Sequence, residues 1–149
     1  MYKIVRKEVL NPSVSLIEVE APYIARKAEP GQFIILRVDE KGERIPLTIC
    51  DYDREAGTIT IVVQEVGAST TKMGTLKEGD YFRDFTGPLG CASEFVHEDL
   101  ETLKNKKMLF VAGGVGAAPV YPQVKWLKEH GIEADVIVGA KTKDMLILE

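Results

Sequence analysis

The chain has 149 residues and a mass of 16.5 kDa, which is the length of about one domain. Lys and Arg number 19 against 23 Asp and Glu, so the net charge is −4 and the chain lacks the basic surface that binds nucleic-acid phosphates. The charged amino terminus excludes a signal peptide. The apolar stretch at residues 108–121 is interrupted by glycines and a proline and is too short to cross a membrane. These features predict a globular cytoplasmic protein that binds neither nucleic acid nor membrane.

Cysteine and histidine usage predicts neither a disulfide framework nor a metal site. Cys50 and Cys91 form no CxxC pair, and we interpret them as reduced thiols. His97 and His130 each lack a companion Cys or His at ligand spacing. We therefore expect no metal ligands in this chain.

The first hundred residues alternate short β-prone runs with turn signals, a spacing typical of a small antiparallel barrel or sandwich. Turn residues such as Asn11-Pro12 and Glu29-Pro30-Gly31 separate the runs. One short helix is expected at residues 70–76. The expected strands are residues 2–10, 14–20, 33–38, 45–49, 58–66 and 80–85.

The pattern changes near residue 104. Residues 108–112 are a continuous apolar run, as in a strand buried on both faces, and a glycine-rich loop follows at once. A helix is predicted to begin at Pro119 or Val120 and to end at Gly131, and residues 134–139 predict a second buried strand. This single βαβ unit is only the first part of a nucleotide-binding sheet. We expect a C-terminally truncated chain with a barrel domain at 1–103 and an incomplete α/β domain at 104–149.

Three short groups of residues have side chains or N–H groups suited to binding an anion, and each group also has an ordinary structural explanation. Gly114-x-Gly116 between a strand and a helix suits a pyrophosphate, but it also suits a tight turn. Arg44 and Thr48 offer a guanidinium for a diphosphate and a hydroxyl for a ring nitrogen, although exposed arginines are usually only solvated. Residues 67–71 form either a nest of N–H groups for phosphate or a simple helix cap.

The order and spacing of these motifs along the whole chain resemble the ferredoxin–NADP reductase family. The most specific pieces are Arg-Ile-Pro-Leu-Thr-Ile from Arg44 and Gly-Gly-Val-Gly-x-Ala-Pro-x-Tyr-Pro from Gly113. The chain is similar to small flavin subunits in the branch of NADH-dependent reduced ferredoxin:NADP oxidoreductase, sulfide dehydrogenase and dihydroorotate dehydrogenase. The resemblance implies an antiparallel six-stranded β-barrel of the flavin-binding reductase type. It also implies that the first βαβ of an incomplete α/β nucleotide-binding domain follows the barrel.

The resemblance also implies site residues. Arg44 would contact the FAD diphosphate, Pro46 and Leu47 would line the flavin, and Thr48 would lie near the flavin N5 edge as the catalytic residue. The family has a stacking tyrosine at the position of Leu47, so an aliphatic contact is expected instead. The other implied cofactor-binding residues are Val62, Val63 and Gln64 along the flavin and ribityl chain, Gly67, Ser69, Thr70 and Thr71 at the pyrophosphate, and Gly114, Gly116 and Pro119 on the NAD(P)H side.

By resemblance, the chain is an FAD-dependent NAD(P)H oxidoreductase subunit that moves electrons between NAD(P)H, FAD and an iron–sulfur partner. The acceptor would be a larger oxidoreductase subunit or a ferredoxin-like protein. Full-length relatives carry a [2Fe-2S] cluster, whose four ligands two cysteines cannot supply. An electron-transfer subunit of dihydroorotate dehydrogenase is the alternative within this class. A different class is a non-catalytic truncated barrel that only folds and self-associates as a homo-oligomer through its unfinished sheet.

Overall fold

The computed structural model describes residues 1–149, which form a β-barrel followed by a βαβ unit. Turns at the predicted places separate the barrel segments, and every strand pairing within the barrel is antiparallel. The segments are β1 (Tyr2–Asn11), β2 (Val14–Glu20), β3 (Phe33–Arg37), β4 (Ile45–Thr48), β5 (Asp51–Asp53), β6 (Thr58–Gln64), β7 (Tyr81–Phe82) and β8 (Asp84–Leu89). The expected strand at 58–66 is therefore two residues too long.

Two long strands close the barrel by changing partners along their length. β4 pairs with β3 and β5 pairs with β6, and the change falls at Ile49 and Cys50, whose N–H groups donate to Gln32 O (3.1 Å) and Thr60 O (2.9 Å). β7 pairs with β1 and β8 pairs with β3, with the break at Arg83. When each broken strand is counted once, the order of the strands around the barrel is β3, β4–β5, β6, β2, β1, β7–β8. The expectation of an antiparallel six-stranded barrel is confirmed, although the strand expected at 80–85 is two segments that extend to Leu89.

The barrel interior is filled by side chains that alternate along the strands, as the period of a strand requires. Ile59, Ile61 and Val63 point inward from β6, and Ile34 and Leu36 point inward from β3, all fully buried. A short helix, α1 (Pro22–Lys27), adds Ile24 and Ala25 to the same core. The sequence analysis did not predict α1, because six residues are too few to show a helical period.

Two further short helices lie between the barrel and the second unit. α2 (Ala68–Thr75) buries Met73 against the barrel and begins two residues before the helix expected at 70–76. α3 (Leu100–Lys104) was not predicted, and its Leu103 packs with Trp126 and Leu127 rather than with the barrel. The domain boundary proposed between 103 and 104 falls inside α3 and stays a prediction.

The second unit consists of β9 (Leu109–Gly113), α4 (Ala117–Glu129) and β10 (Asp135–Gly139), and β9 and β10 are parallel neighbours. The predicted βαβ is therefore present. α4 ends as predicted, because Gly131 adopts φ +73° and Ile132 N donates back to Leu127 O at 2.9 Å. None of the helices combines the length and the hydropathy that crossing a membrane requires.

Three details of the βαβ prediction are wrong. The helix begins at Ala117, two residues before Pro119, because Pro119 is accommodated in the first turn. The strand at 108–112 is not buried on both faces, since Leu109 and Val111 are 59% and 69% exposed. The strand expected to be buried at 134–139 is also largely exposed, with Val136 and Ile137 both open to solvent. Only the face of β9 that carries Ala112 is covered by α4.

Candidate functional site

The two faces of β4 separate its predicted site residues. Ile45 and Leu47 lie opposite the buried Leu36 and Ile34 of β3 and pack against the barrel core. Pro46 and Thr48 lie on the other face, where Pro46 is exposed and Thr48 half-buried. The structure therefore brings Pro46 and Thr48 together and turns Leu47 toward the interior. A flavin contact by Leu47 stays a prediction that this orientation does not favour.

A gap opens between β4 and β6 on this side of the barrel. The ladder that β5 forms with β6 ends at Asp51 and Thr60, beside the bond from Cys50 N to Thr60 O, and β4 pairs only with β3. Residues 62–64 of β6 pair with β2 on one edge and have no ladder partner on the other. Along this edge Val62 and Gln64 face outward, whereas Val63 packs in the barrel core. The gap is a place where a planar ligand can meet unpaired backbone groups.

The start of α2 presents free backbone N–H groups. Thr70 Oγ1 accepts hydrogen bonds from Val66 N (2.9 Å) and Gly67 N (3.0 Å), which fixes the turn before the helix. The first bond within the helix runs from Thr71 N to Gly67 O at 2.9 Å, so the preceding N–H groups of the first turn have no helical partner. Thr71 itself is exposed. The start of α2 therefore suits an anion.

The loop before β4 is fastened to α2 by two side-chain contacts. Ser69 Oγ donates to Glu43 Oε1 at 2.5 Å, and Lys72 forms an ion pair with Asp39. The hydrogen bond from Lys72 lowers the pKa of Asp39 below its usual value. A groove of about 440 Å³ lies between the loop and α2. Arg44 lies between this loop and β4. The two contacts therefore bring the segment that leads into β4 next to the start of α2.

Arg44 is exposed and carries the one guanidinium of this region without an acidic partner. Arg37, Arg54 and Arg83 each form an ion pair, whereas Arg44 forms neither an ion pair nor a side-chain hydrogen bond. A guanidinium without an acidic partner, on the segment that follows a loop held against α2, is a group that can bind phosphate oxygens.

The glycine loop forms the second part of the site. Gly114 to Gly116 make one turn of 3-10 helix before α4, and Gly114 adopts φ +55°, a conformation that side-chain-bearing residues rarely adopt. An added Cβ at Gly114 or Gly116 would meet open space, so the loop surface is accessible to a ligand. Pro119 lies in the first turn of α4, and its carbonyl accepts from Gln123 Nε2 at 2.9 Å. The loop thus ends at the positive end of a 13-residue helix.

The loop faces the barrel across a cavity of about 640 Å³. Gln64, Val14 and Asn11 line the barrel side of this cavity, and Gly113 to Gly116 line the other side. Of the predicted cofactor-binding residues, Gln64 of β6 and Gly114 and Gly116 of the glycine loop line this one cavity, whereas Val62, Val63 and Pro119 do not. Asn11 was not predicted as a site residue, because Asn11-Pro12 is a turn signal and nothing local links it to the glycine loop.

The two units are held together beside this cavity. Cys50 and Val62 of the barrel pack against Ala117 and Ala118 at the start of α4. Burial raises the pKa of the Cys50 thiol to about 12, so it is an uncharged apolar contact. The position of β6 relative to the start of α4 is therefore fixed by direct packing.

Comparisons with known proteins agree with this architecture. A chain of the NADH-dependent reduced ferredoxin-NADP oxidoreductase structure superposes with a TM-score of 0.89 and 41% identity, over 100% of this chain and 51% of that chain. Phthalate dioxygenase reductase superposes with a TM-score of 0.75 at 18% identity, over 97% of this chain and 44% of that chain, which is a likeness of fold alone.

Curated relatives match over almost the whole chain. A dihydroorotate dehydrogenase B (NAD(+)) electron transfer subunit homolog of Thermotoga maritima is 42% identical over 146 residues, which is 98% of this chain and 49% of the relative. An uncharacterised protein in the adh 3′ region of Clostridium beijerinckii is 61% identical over all 149 residues, or 50% of the relative. The chain spans about half the length of the curated relatives it matches. No protein-family model matches the chain.

A closed six-stranded barrel with a βαβ unit docked through its glycine loop defines a reductase-type flavoprotein fold. Over its whole length the chain belongs to the ferredoxin–NADP reductase family.

Proposed function

We propose that this chain is the FAD-binding portion of an electron-transfer flavoprotein subunit that draws electrons from NAD(P)H. The observation that carries the proposal is the unpaired edge of β6 beside β4, with the unpartnered Arg44 just before β4 and with Gln64 of β6 lining the cavity of the glycine loop. A bound flavin supplies the redox chemistry, because it takes two electrons from a nicotinamide and releases them singly. The residues of the chain bind and orient the two nucleotides.

The spacing along β4 fits an extended dinucleotide. Arg44 and Thr48 are four residues apart, which is about 13 Å along a strand. That span leaves room for the ring system beside Thr48 and for the ribityl chain before the diphosphate reaches Arg44. Thr48 would offer its hydroxyl to the ring edge, and Pro46 would contact its outer face. Gly67, Ser69, Thr70 and Thr71 would surround the diphosphate from the start of α2.

The nicotinamide nucleotide would lie on the opposite side of the gap. The glycine loop and the first turn of α4 present N–H groups to its diphosphate, with Gly114, Gly116 and Pro119 shaping the surface. Gln64 lines this cavity, and Val62 of the same strand packs against the start of α4. The two nucleotides would therefore meet across the outer edge of β6.

The 149 residues do not themselves hold an onward iron–sulfur acceptor. The chain has two cysteines, of which Cys50 is buried, so it does not fit a [2Fe-2S] cluster with four protein ligands. Solved and curated relatives are named as an NADH-dependent ferredoxin-NADP oxidoreductase and as electron transfer subunits of dihydroorotate dehydrogenase B. We propose a larger oxidoreductase subunit or a ferredoxin-like protein as the partner of this chain, with dihydroorotate dehydrogenase as the alternative assignment.

Titration of the chain with FAD tests the flavin site. Arg44→Ala removes the unpaired guanidinium, and we expect it to weaken FAD binding at least about tenfold, since a hydrogen bond to a charged group contributes about 1.5–3 kcal/mol. Arg26→Ala is the matched control, because Arg26 lies over the ring of Tyr23 on α1, away from the gap. Equal FAD affinity of the Arg44→Ala variant and the wild type would contradict the assignment.

A second function is favoured by the uncovered face of the βαβ sheet. Leu109 and Val111 of β9 and Ile137 of β10 are exposed on one side of this two-stranded sheet. Such an apolar face favours self-association of the chain as a non-catalytic barrel. Light scattering after size exclusion separates the two functions: a monomer that binds FAD supports the flavoprotein, and a flavin-free oligomer supports the alternative.

A further inference from the structure

The side-chain amide of Asn11 has unused donors. Asn11 ends β1 and is 7% exposed. Its Oδ1 accepts from Ser13 N (3.0 Å) and Ser13 Oγ (3.3 Å), whereas Nδ2 is buried and has no hydrogen-bond partner. A backbone N–H can only donate, so the bond from Ser13 N fixes which end of the amide carries oxygen. Buried polar groups almost always have a partner, which makes this orphaned NH₂ group exceptional.

Asn11 lies in a lateral row of residues across three strands. It is paired with Val14 of β2, and Val14 is paired with Gln64 of β6. Adjacent strands are about 4.8 Å apart, so Asn11 and Gln64 are about 10 Å from each other. Both line the cavity of about 640 Å³ that faces Gly113 to Gly116. The orphaned amide therefore belongs to the barrel wall of the cavity that the glycine loop forms on the other side.

The polar groups of the cavity suit an anion. None of the residues that line it is Asp or Glu, Lys141 is its one charged side chain, and Val14, Val115, Met145 and Ile147 add apolar surface. The loop adds the backbone N–H groups at the start of α4, a 13-residue helix. Both units therefore contribute hydrogen-bond donors. A diphosphate, with several acceptor oxygens and negative charge, is the ligand group that matches this set.

We propose that Asn11 is a barrel-side ligand of the diphosphate that the glycine loop holds. The proposal rests on the proposed function in taking that diphosphate to be part of a pyridine dinucleotide. If Asn11 has this role, both units bind the dinucleotide at the same time, the barrel through Asn11 and the βαβ unit through Gly114 to Gly116. Binding of the dinucleotide then fixes the barrel against α4, beside the packing of Cys50 and Val62 on Ala117 and Ala118.

The Asn11 side-chain NH₂ resonances provide a direct test. They are assigned in a ¹⁵N-labelled wild-type chain as the pair that disappears in Asn11→Asp, and the chain is then titrated with ADP-ribose, nicotinamide mononucleotide and inorganic pyrophosphate. We expect ADP-ribose to shift this pair and nicotinamide mononucleotide, which lacks the diphosphate, to leave it in place. A shift with inorganic pyrophosphate in addition to ADP-ribose also supports the proposal. No shift at saturating ADP-ribose overturns it, and so does a shift with nicotinamide mononucleotide alone.

Affinities of matched variants provide the second test. Asn11→Asp keeps the acceptor for Ser13 and removes the donors, and we expect it to weaken ADP-ribose binding at least tenfold while FAD affinity stays unchanged. Ser13→Ala is the control, because it removes a bond to Oδ1 and leaves Nδ2 intact. Equal ADP-ribose affinity of Asn11→Asp and wild type overturns the proposal. A wild-type chain that shows the ADP-ribose effects without binding FAD would contradict the proposed function and support the role of Asn11.

Discussion

Asp51, the first residue of β5, accepts from Lys125 of α4 through both carboxylate oxygens, with Nζ 2.7 Å from Oδ1 and 3.0 Å from Oδ2. The pair joins the barrel to the helix that follows the glycine loop. It lies next to Cys50, whose side chain packs at the start of the same helix. The positions of the glycine loop and of the barrel are thus coupled through α4 by one ionic and one apolar contact.

We expect the Asp51–Lys125 pair to stabilise the fold by about 0.2–1 kcal/mol, because its partial exposure screens the charges. A double-mutant cycle of Asp51→Asn and Lys125→Met, followed by urea unfolding, measures this coupling free energy. The cycle of Glu101→Gln and Lys104→Met is the control, since that pair lies within α3, joins no two units and is more exposed. A coupling no larger than that of the control would contradict the role of the pair.

The contribution of the Asp51–Lys125 pair to the free energy of unfolding depends on pH. Burial lowers the pKa of Lys125, but the hydrogen bond to Asp51 and its charge outweigh burial, so the net pKa is raised. Because this pKa is raised, the stabilisation by the pair is fully present below the pKa of Lys125 in the unfolded chain, which is about 10.4. It is lost as the pH rises through the pKa of Lys125 in the folded chain. The coupling measured between pH 6 and pH 9 should therefore be constant and should disappear in stronger alkali. A coupling already lost at pH 8 would contradict this.

The two faces of β4 predict different costs for neighbouring substitutions. Leu47→Ala removes a side chain packed on the barrel core, and we expect it to lower the free energy of unfolding by about 1–3 kcal/mol. Pro46→Ala changes an exposed side chain and should cost less than about 0.5 kcal/mol. Denaturant unfolding of both variants makes the comparison. Similar costs for the two, or a larger cost for Pro46→Ala, would show that the face assignment is wrong.

The start of α2 depends on the hydroxyl of Thr70. Thr70→Ala leaves Val66 N and Gly67 N without their acceptor and should destabilise the chain by about 1 kcal/mol. Thr70→Ser keeps the oxygen and should retain most of the stability. Since this turn presents N–H groups to the proposed diphosphate, FAD affinity should fall in Thr70→Ala and not in Thr70→Ser. Identical behaviour of the two variants would exclude this role of the hydroxyl.

The two cysteines should differ sharply in reactivity. Cys91 is exposed, whereas Cys50 is buried and its pKa is raised to about 12, so little thiolate forms at neutral pH. A thiol-specific chromogenic disulfide should react quickly with one equivalent per native chain and with two after unfolding. Cys91→Ser should abolish the fast equivalent. Two fast equivalents in the native chain would show that the packing of the barrel on α4 is loose.

Local patterns were enough to predict much of this fold. The alternation in β2 and β6 and the strand, glycine loop and helix around Gly114 are visible within a few neighbouring residues, and the structure contains them. The strand breaks at Ile49 and Arg83 were not predictable, because the change of partner depends on distant strands. The short helices α1 and α3 show no helical period. Leu109 and Val111 were expected to be buried because their residue types are those of a central strand.

The candidate site was predictable only as separate motifs. Arg44, Ser69 and Gly114 could be singled out from their residue types and spacing. The sequence does not show that the loop before Arg44 is fastened to α2 through Glu43 and Ser69. It also does not show that Asn11 lies across a cavity from the glycine loop. These relations are set by the closure of the barrel and by the docking of α4, which no local pattern encodes.

The gap between β4 and β6 is the proposed FAD site. The most direct measurement is the visible absorption spectrum of the purified chain, as isolated and after addition of FAD and desalting. We expect a retained flavin band that is weakened or lost in Arg44→Ala and in Thr48→Ala, with the Arg26→Ala control unchanged. A folded chain that retains no flavin, or that retains it equally in all variants, would contradict this assignment.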